Sequence, residues 1–205
     1  MTELQPGQTV PFAPEGPQTT LTVDVRWDPS GTGLDASALL LTAAEKVRSD
    51  DDFVFFNQPQ SPEGTVRHSS IGPGHERLEL VLGQLGRGIE RVLLAASVDA
   101  AAPNATFSQV RGLSVTVTAR GTAEKLTFAV PQLTTETALR LAEVYPRGGQ
   151  WRVRAVAQGY ATGLRGLATE VGINVDDAPE AATPAQPTST TNGRQVAGKN
   201  PAEYL

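Results

Sequence analysis

Along much of this 205-residue chain the polarity switches at every second position, in short runs broken by Gly, Pro, Asn and Asp. Leu21, Val23, Val25 and Trp27 alternate with Thr22, Asp24 and Arg26. Leu78, Leu80 and Leu82 alternate with Arg77, Glu79 and Val81, and Leu113, Val115 and Val117 with Ser114, Thr116 and Thr118. Successive side chains of an extended backbone point to opposite faces, so each run reads as a strand with one buried side. The connections are too short for crossover helices and rich in turn formers, which favours antiparallel neighbours. About eight or nine such strands predict a mainly β chain, an antiparallel two-sheet β-sandwich.

Residues 1–19 carry Pro6, Gly7, Pro11, Pro14, Gly16 and Pro17, too many breakers for a helix or a central strand, although Val10 and Phe12 suit a short edge strand. The run Ala38-Leu39-Leu40-Leu41 suits a strand covered on both sides. Phe53, Val54, Phe55 and Phe56 form an aromatic strand, and 89–98 the long central one. Residues 134–174 read as helix, strand, helix. Thr134 and Glu136 suit a helix start, with Ala138, Leu141, Ala142 and Tyr145 on one side and Pro146, Gly148 and Gly149 as the stop. Trp151, Val153, Ala155 and Ala157 then alternate with Arg152, Arg154, Val156 and Gln158. A second helix runs through Leu164, Leu167, Ala168 and Val171 to Gly172. The sandwich domain, 20–175, is thus expected to end in two short C-terminal helices. From 176 to 205 the composition shifts to Ala, Pro, Thr, Gln and Asn, a flexible, disordered tail that buries too little apolar surface to fold. Its end, Tyr204 and Leu205, suits a short partner-docking peptide.

Composition narrows the chemistry. With no cysteine, disulfides and thiolate-held metals are excluded. A net charge of −5 argues against nucleic-acid binding. The longest apolar stretch, 92–96, falls far short of the roughly 20 residues a membrane span needs. The N-terminal residues show neither a basic start nor an apolar run. These features predict a cytoplasmic protein whose partners are proteins, with any membrane association made through a complex.

The segments Glu136-Thr-Ala-Leu, Ala142-Glu-Val-Tyr, Gly149-Gln-Trp-Arg-Val-Arg-Ala-Val-Ala-Gln-Gly-Tyr-Ala-Thr-Gly-Leu and Val171-Gly-Ile-Asn resemble the C-terminal part of the TerD tellurium-resistance and stress-response family. Upstream, Trp27-Asp28, Leu34-Asp-Ala-Ser-Ala, Asp52-Phe-Val-Phe-Phe-Asn-Gln, Ser61-Pro-Glu-Gly-Thr-Val-Arg-His and Phe107-Ser-Gln-Val extend the resemblance over 21–174. It implies the same fold and a calcium site. In the family the loop before the Asp-Ala-Ser segment usually reads Asp-Phe-Asp-Leu-Asp, and a second loop, Gly-Asp-Asn-x-Thr-Gly, leads into an acidic cluster. Ca²⁺ takes about six to eight oxygens, several of them carboxylates. This chain has Gly31-Thr-Gly-Leu-Asp, which keeps Asp35 and puts Gly31 and Gly33 at the other two acid positions. The second loop is shortened to Ser69-Ser-Ile-Gly-Pro-Gly-His-Glu, which keeps Glu76. Asp28 is either a third ligand or an Asx turn before Pro29, the turn being favoured. The degenerate metal site is therefore Asp35, Glu76 and Asp28, with calcium binding weakened or lost and no other cofactor expected.

Catalytic alternatives are weak on residue type alone. His68 with Ser69 and Ser70, or His75 with Glu76, are neighbours in sequence, which is not the geometry a nucleophile and base require. Asp35 and Glu76 as an acid and base couple need their loops to meet. Two histidines without His-x-x-x-His spacing do not make a zinc site, and residues 159–166 lack the Lys-Ser/Thr ending of a phosphate loop. Arg152 and Arg154 share a strand face that suits solvent better than an anion. Two function classes follow: a non-enzymatic TerD-type binding module, or an adaptor docked on a bacterial assembly whose tail recruits a client.

Overall fold

The computed structural model describes residues 1–14, 16–99, 102 and 104–173. The strands are β1 (Thr2–Glu3), β2 (Thr9–Pro14), β3 (Thr20–Arg26), β4 (Leu34–Leu41), β5 (Phe53–Val54) and β6 (Val66–Gly72). They continue with β7 (His75–Val81), β8 (Arg91–Val98), β9 (Ser114–Ala119), β10 (Lys125–Ala129), β11 (Ala138–Pro146) and β12 (Gln150–Tyr160), followed by helix α1 (Gly163–Val171). Two six-stranded sheets result, ordered β1-β10-β9-β3-β7-β6 and β2-β12-β11-β8-β4-β5. The β1–β10 pairing is parallel; the other pairings between these strands are antiparallel.

The alternation read from sequence sets the inner faces. Leu21, Val23 and Val25 of β3, Leu78 and Leu80 of β7, and Val115 and Val117 of β9 have no exposed surface. They share one core with Ala36, Ala38 and Leu40 of β4 and Val92, Leu94 and Ala96 of β8. Each buried Val or Leu side chain contributes about 1.5–3 kcal/mol, so this interdigitated layer is the main source of stability. A second, smaller core explains the two-sided burial of 38–41. Leu39, Leu41, Leu93 and Ala95 point out of the second sheet and are covered by Leu167 and Val171 of α1. Gly172, at φ +86°, ends that helix in the left-handed conformation, its N–H reaching the carbonyls of Ala168 and Thr169.

The mainly β sandwich is as expected, but only one of the two expected helices forms. The stretch read as a helix over 134–145 is strand β11, hydrogen-bonded on one side to β8 and on the other to β12. A register shift between Arg140 and Ala142 turns both Leu141 and Ala142 toward the core. Two consecutive inward residues, followed by Tyr145, imitate the three-and-four spacing of a helix face. The supposed cap is a local turn in which Glu136 Oε2 accepts the Thr134 N–H at 2.7 Å. The matching irregularity in β12 lies at Ala157, whose φ of +56° breaks the alternation after Ala155. Likewise the aromatic strand stops at Val54, and Phe55 and Gln58 pair their backbones across a turn, 3.0 Å in each direction. Val10 and Phe12 lie on edge strand β2 and pack partly against the core. No helix among the described residues is long and apolar enough to cross a membrane. Tyr204 and Leu205 lie outside the described residues.

Candidate functional site

Strand β7 separates two residues that are adjacent in sequence. Its inner face carries Glu76 with Leu78 and Leu80; its outer face carries His75 and Arg77. Glu76 is buried, and its Oε2 accepts the backbone N–H of Ala36 at 2.5 Å and lies 3.1 Å from His68 Nε2. Local geometry explains why a carboxylate belongs there. Strand β5 is two residues long and pairs only with Ala38 and Leu39 of β4. The N–H of Ala36, two residues upstream, points toward the same edge beyond the end of β5, where a buried donor needs an acceptor. Glu76 reaches across from the opposite sheet to supply it. His68, on β6 beside β7, completes the contact from the diagonal position on the same face.

His75 makes a separate cluster on the opposite face. Its Nε2 lies 2.6 Å from Asp24 Oδ1, which also accepts from Arg77 Nε at 3.0 Å and Nη2 at 2.8 Å. Desolvation is the largest influence on Asp24 and acts upward, but the hydrogen bonds and charges of His75 and Arg77 together hold its carboxyl below the ordinary value.

Asp35 sits on the outer side of β4, opposite Ser97 of β8. It lines an open pocket of about 240 Å³ with Ser37, Phe53, Phe55, Phe56 and Leu164. Partial burial, then the nearby carboxylates of Asp99 and Glu76, push its carboxyl up to about 6, against a smaller opposing pull from His68. Asp35 and Glu76 are therefore electrostatic neighbours, while Glu76 is committed to the backbone of the next residue, Ala36. Asp28 lies apart on the exposed loop, where its Oδ1 accepts the Ser30 N–H at 2.9 Å and the Ser30 hydroxyl at 2.7 Å. This is the Asx turn. Those Ser30 hydrogen bonds, the hydroxyl's foremost, lower its carboxyl. At Gly31 and Gly33, where the resemblance led to an expectation of acids, space is short. A Cβ on Gly31 would lie 3.1 Å from the Gln109 carbonyl, and one on Gly33 would lie 3.3 Å from Asp99 Oδ2. Among the described residues no group of three or more His, Cys, Asp or Glu side chains is placed to hold a metal ion.

Of the residues singled out from sequence, Asp35 and Glu76 are thus electrostatic neighbours on opposite faces of β4, and Asp28 does not join them. His68 and Asp99 are the participants that sequence reading missed in this role. Their only sequence signal is position: His68 at an inward place on its strand, Asp99 just past the end of β8.

The raised Asp35 carboxyl has a measurable consequence. Between about pH 4 and pH 6 the folded chain retains a proton that the unfolded chain has released, so this group makes stability fall as pH rises through that window. Asp35→Asn removes the penalty. Chemical denaturation should find the variant more stable than the parent by about 1–2 kcal/mol near neutral pH, after discounting for partial exposure, and nearly equal to it at about pH 4. A stability difference independent of pH would refute the assignment.

The two-sheet fold is shared with known proteins. The family model for the TerD domain matches residues 1–170. Over 166 residues the chain is 34% identical to the tellurium resistance protein TerD of Serratia marcescens, covering 74% of this chain and 86% of that protein. Over 188 residues it is 30% identical to general stress protein 16U of Bacillus subtilis (strain 168), covering 84% of this chain and 97% of that one. A crystal structure of a homologue of telluride resistance protein (TerD) from Streptomyces coelicolor A3(2) matches with a TM-score of 0.61 and 26% identity, over 76% of this chain and 98% of that chain. With the match running from the first strand nearly to the end of α1, the chain belongs to the TerD family.

Proposed function

We propose that this chain is a non-enzymatic, TerD-type stress-response binding module in which calcium binding is weakened or lost. Its relatives carry the names of tellurium resistance and general stress proteins, which supports the stress-response setting. The observation that carries the calcium reading is the use made of the retained acids. Glu76 is buried and holds the Ala36 N–H and His68, and Asp28 holds Ser30. Asp35 is left with Asp99 nearby, while Gly31 and Gly33 contribute no carboxylate. Affinity in an oxygen site follows the number and charge of its ligands, and this set is too small for a tight cage. The histidines support the non-enzymatic reading. His68 is buried against Glu76, and His75 is fixed between Asp24 and its strand on the other face. Neither pairs with the serines beside His68 in sequence.

Thermal melts of chelator-treated protein with and without calcium test this reading. A site with a micromolar dissociation constant would gain roughly 4 kcal/mol at about 1 mM Ca²⁺, a shift of roughly 10 °C in a domain this size. The expected shift is about one degree or less. A large calcium-dependent shift that disappears in Asp35→Ala would restore the ion-binding reading.

A further inference from the structure

We propose that the pocket on the outer face of β4 and β8 binds a small organic monocation, an alkylated ammonium with an apolar body, held between the Asp35 carboxylate and the rings of Phe53, Phe55 and Phe56. The proposal rests on the preceding reading in one respect, that calcium does not occupy Asp35.

The pocket combines two kinds of wall. On one side stands Asp35, with the hydroxyl-bearing Ser37 and Ser97 beside it. Its carboxylate has no hydrogen bond or ion pair with any described residue, and its electrostatic neighbours include two more carboxylates, Asp99 and Glu76. The nearby histidine, His68, is engaged by Glu76. A half-buried carboxylate in such company attracts positive charge, and the described residues supply none at hydrogen-bonding distance.

The other wall is aromatic. Phe53 and Phe55 stack with centroids 4.7 Å apart and planes 19° apart, and Phe56 meets Phe55 edge-on at 5.5 Å and 88°. Phe56 is 53% exposed, so the pocket presents a large apolar ring to solvent. The trio is held in place. The Gln58 side chain donates to the carbonyls of Phe53 at 2.7 Å and Asp50 at 3.1 Å, and Phe55 and Gln58 exchange backbone hydrogen bonds. A preformed wall spares a ligand the cost of ordering it.

Ligand class follows from what each wall offers. A hard cation needs oxygens on all sides, and benzene rings have none to give. Ring faces attract positive charge through their quadrupole, and they favour alkylated ammonium, whose weak hydration is cheap to strip. A neutral apolar ligand would leave the carboxylate without a counter-charge. An anion would be repelled. An alkylated ammonium satisfies both walls at once, its charge toward Asp35 and its methyl groups against the rings.

The test is a titration of the full-length protein with tetramethylammonium chloride at constant ionic strength, followed by nuclear Overhauser contacts between the probe methyls and the phenylalanine rings. Tert-butanol serves as the uncharged analogue of similar shape. Saturable binding is expected, with contacts to Phe55 and Phe56. Phe56→Leu should weaken it by roughly three- to tenfold, and Asp35→Asn by roughly tenfold or more. Both substitutions are mild: one at an exposed position, the other nearly isosteric. Absence of saturable binding, an equal response to tert-butanol, or affinity unchanged in both variants would each overturn the proposal. So would a face that joins two copies: Phe56→Asp separating a dimer in light scattering, with no probe binding in the parent. Calcium melts keep the two readings apart. A calcium shift with tetramethylammonium binding intact refutes the weakened calcium site and supports the cation pocket, whereas a flat calcium melt without probe binding does the reverse.

Discussion

Trp151→Ala is expected to destabilise the fold by about 3–5 kcal/mol, the range for emptying a large buried aromatic site. Trp151 is 6% exposed and belongs to the main core. It is the second residue of β12 and stands across from Pro146 of β11 on one side and Ala13 of β2 on the other, so its removal loosens an edge strand as well as leaving a cavity. In a domain of this size each kcal/mol moves the melting temperature by about 2–4 °C, so a fall of roughly 10 °C should be seen. A second substitution separates packing from hydrogen bonding. The buried indole Nε1 has no hydrogen-bond partner among the described residues, a state that costs about 1–3 kcal/mol. Trp151→Phe removes that donor while keeping most of the ring volume, and it should cost well under half as much as alanine. A Trp151→Ala protein that melts like the parent would show that the residue serves a surface instead of the core.

The strands were legible because burial on one face imposes a period of two, and no helix reproduces that period over Leu21 to Trp27 or Leu113 to Val117. Strand β11 was not. Its bulge puts Leu141 and Ala142 on the same side, and from sequence alone such a break cannot be told from the turn of a helix. Only pairing with β8 and β12, two partners far apart in the chain, decides between them. The covered face of 38–41 was readable as an apolar run, but the identity of its cover, α1, required the tertiary structure.

The site was legible by half. Resemblance to a family pointed at Asp35, Glu76 and Asp28 as former ligands, and of these Asp35 and Glu76 are electrostatic neighbours on opposite faces of β4. What the three now do depends on contacts that no spacing encodes: an Asx turn at Asp28, a free β4 edge for Glu76, an aromatic pocket for Asp35. His68 and His75 show the same limit. Each finds a carboxylate from another strand; His75 in particular does not meet Glu76 beside it in sequence, because alternation along a strand sends adjacent residues to opposite faces.

Glu76 provides the clearest separation between an ancestral ligand and a structural acid. If its task is to satisfy Ala36 and His68 inside the sandwich, Glu76→Ala strips partners from two buried polar groups at about 1–3 kcal/mol each, a total of roughly 2–5 kcal/mol. The loss must appear in chelator-treated protein, since no ion takes part. Glu76→Gln keeps a carbonyl oxygen of the same reach, which can still accept the Ala36 N–H, so it should recover more than half of that loss while giving up the charge that attracts His68. A ligand behaves in the opposite way. Its removal leaves the metal-free protein unharmed, or even relieved of carboxylate repulsion, and abolishes only the gain produced by calcium. Melts of the parent, Glu76→Ala and Glu76→Gln, each with chelator and with about 1 mM Ca²⁺, therefore distinguish the two. Equal melting of parent and alanine variant in chelator would sink the structural assignment; a fall of roughly 10 °C, largely restored by glutamine and indifferent to calcium, is the expected result.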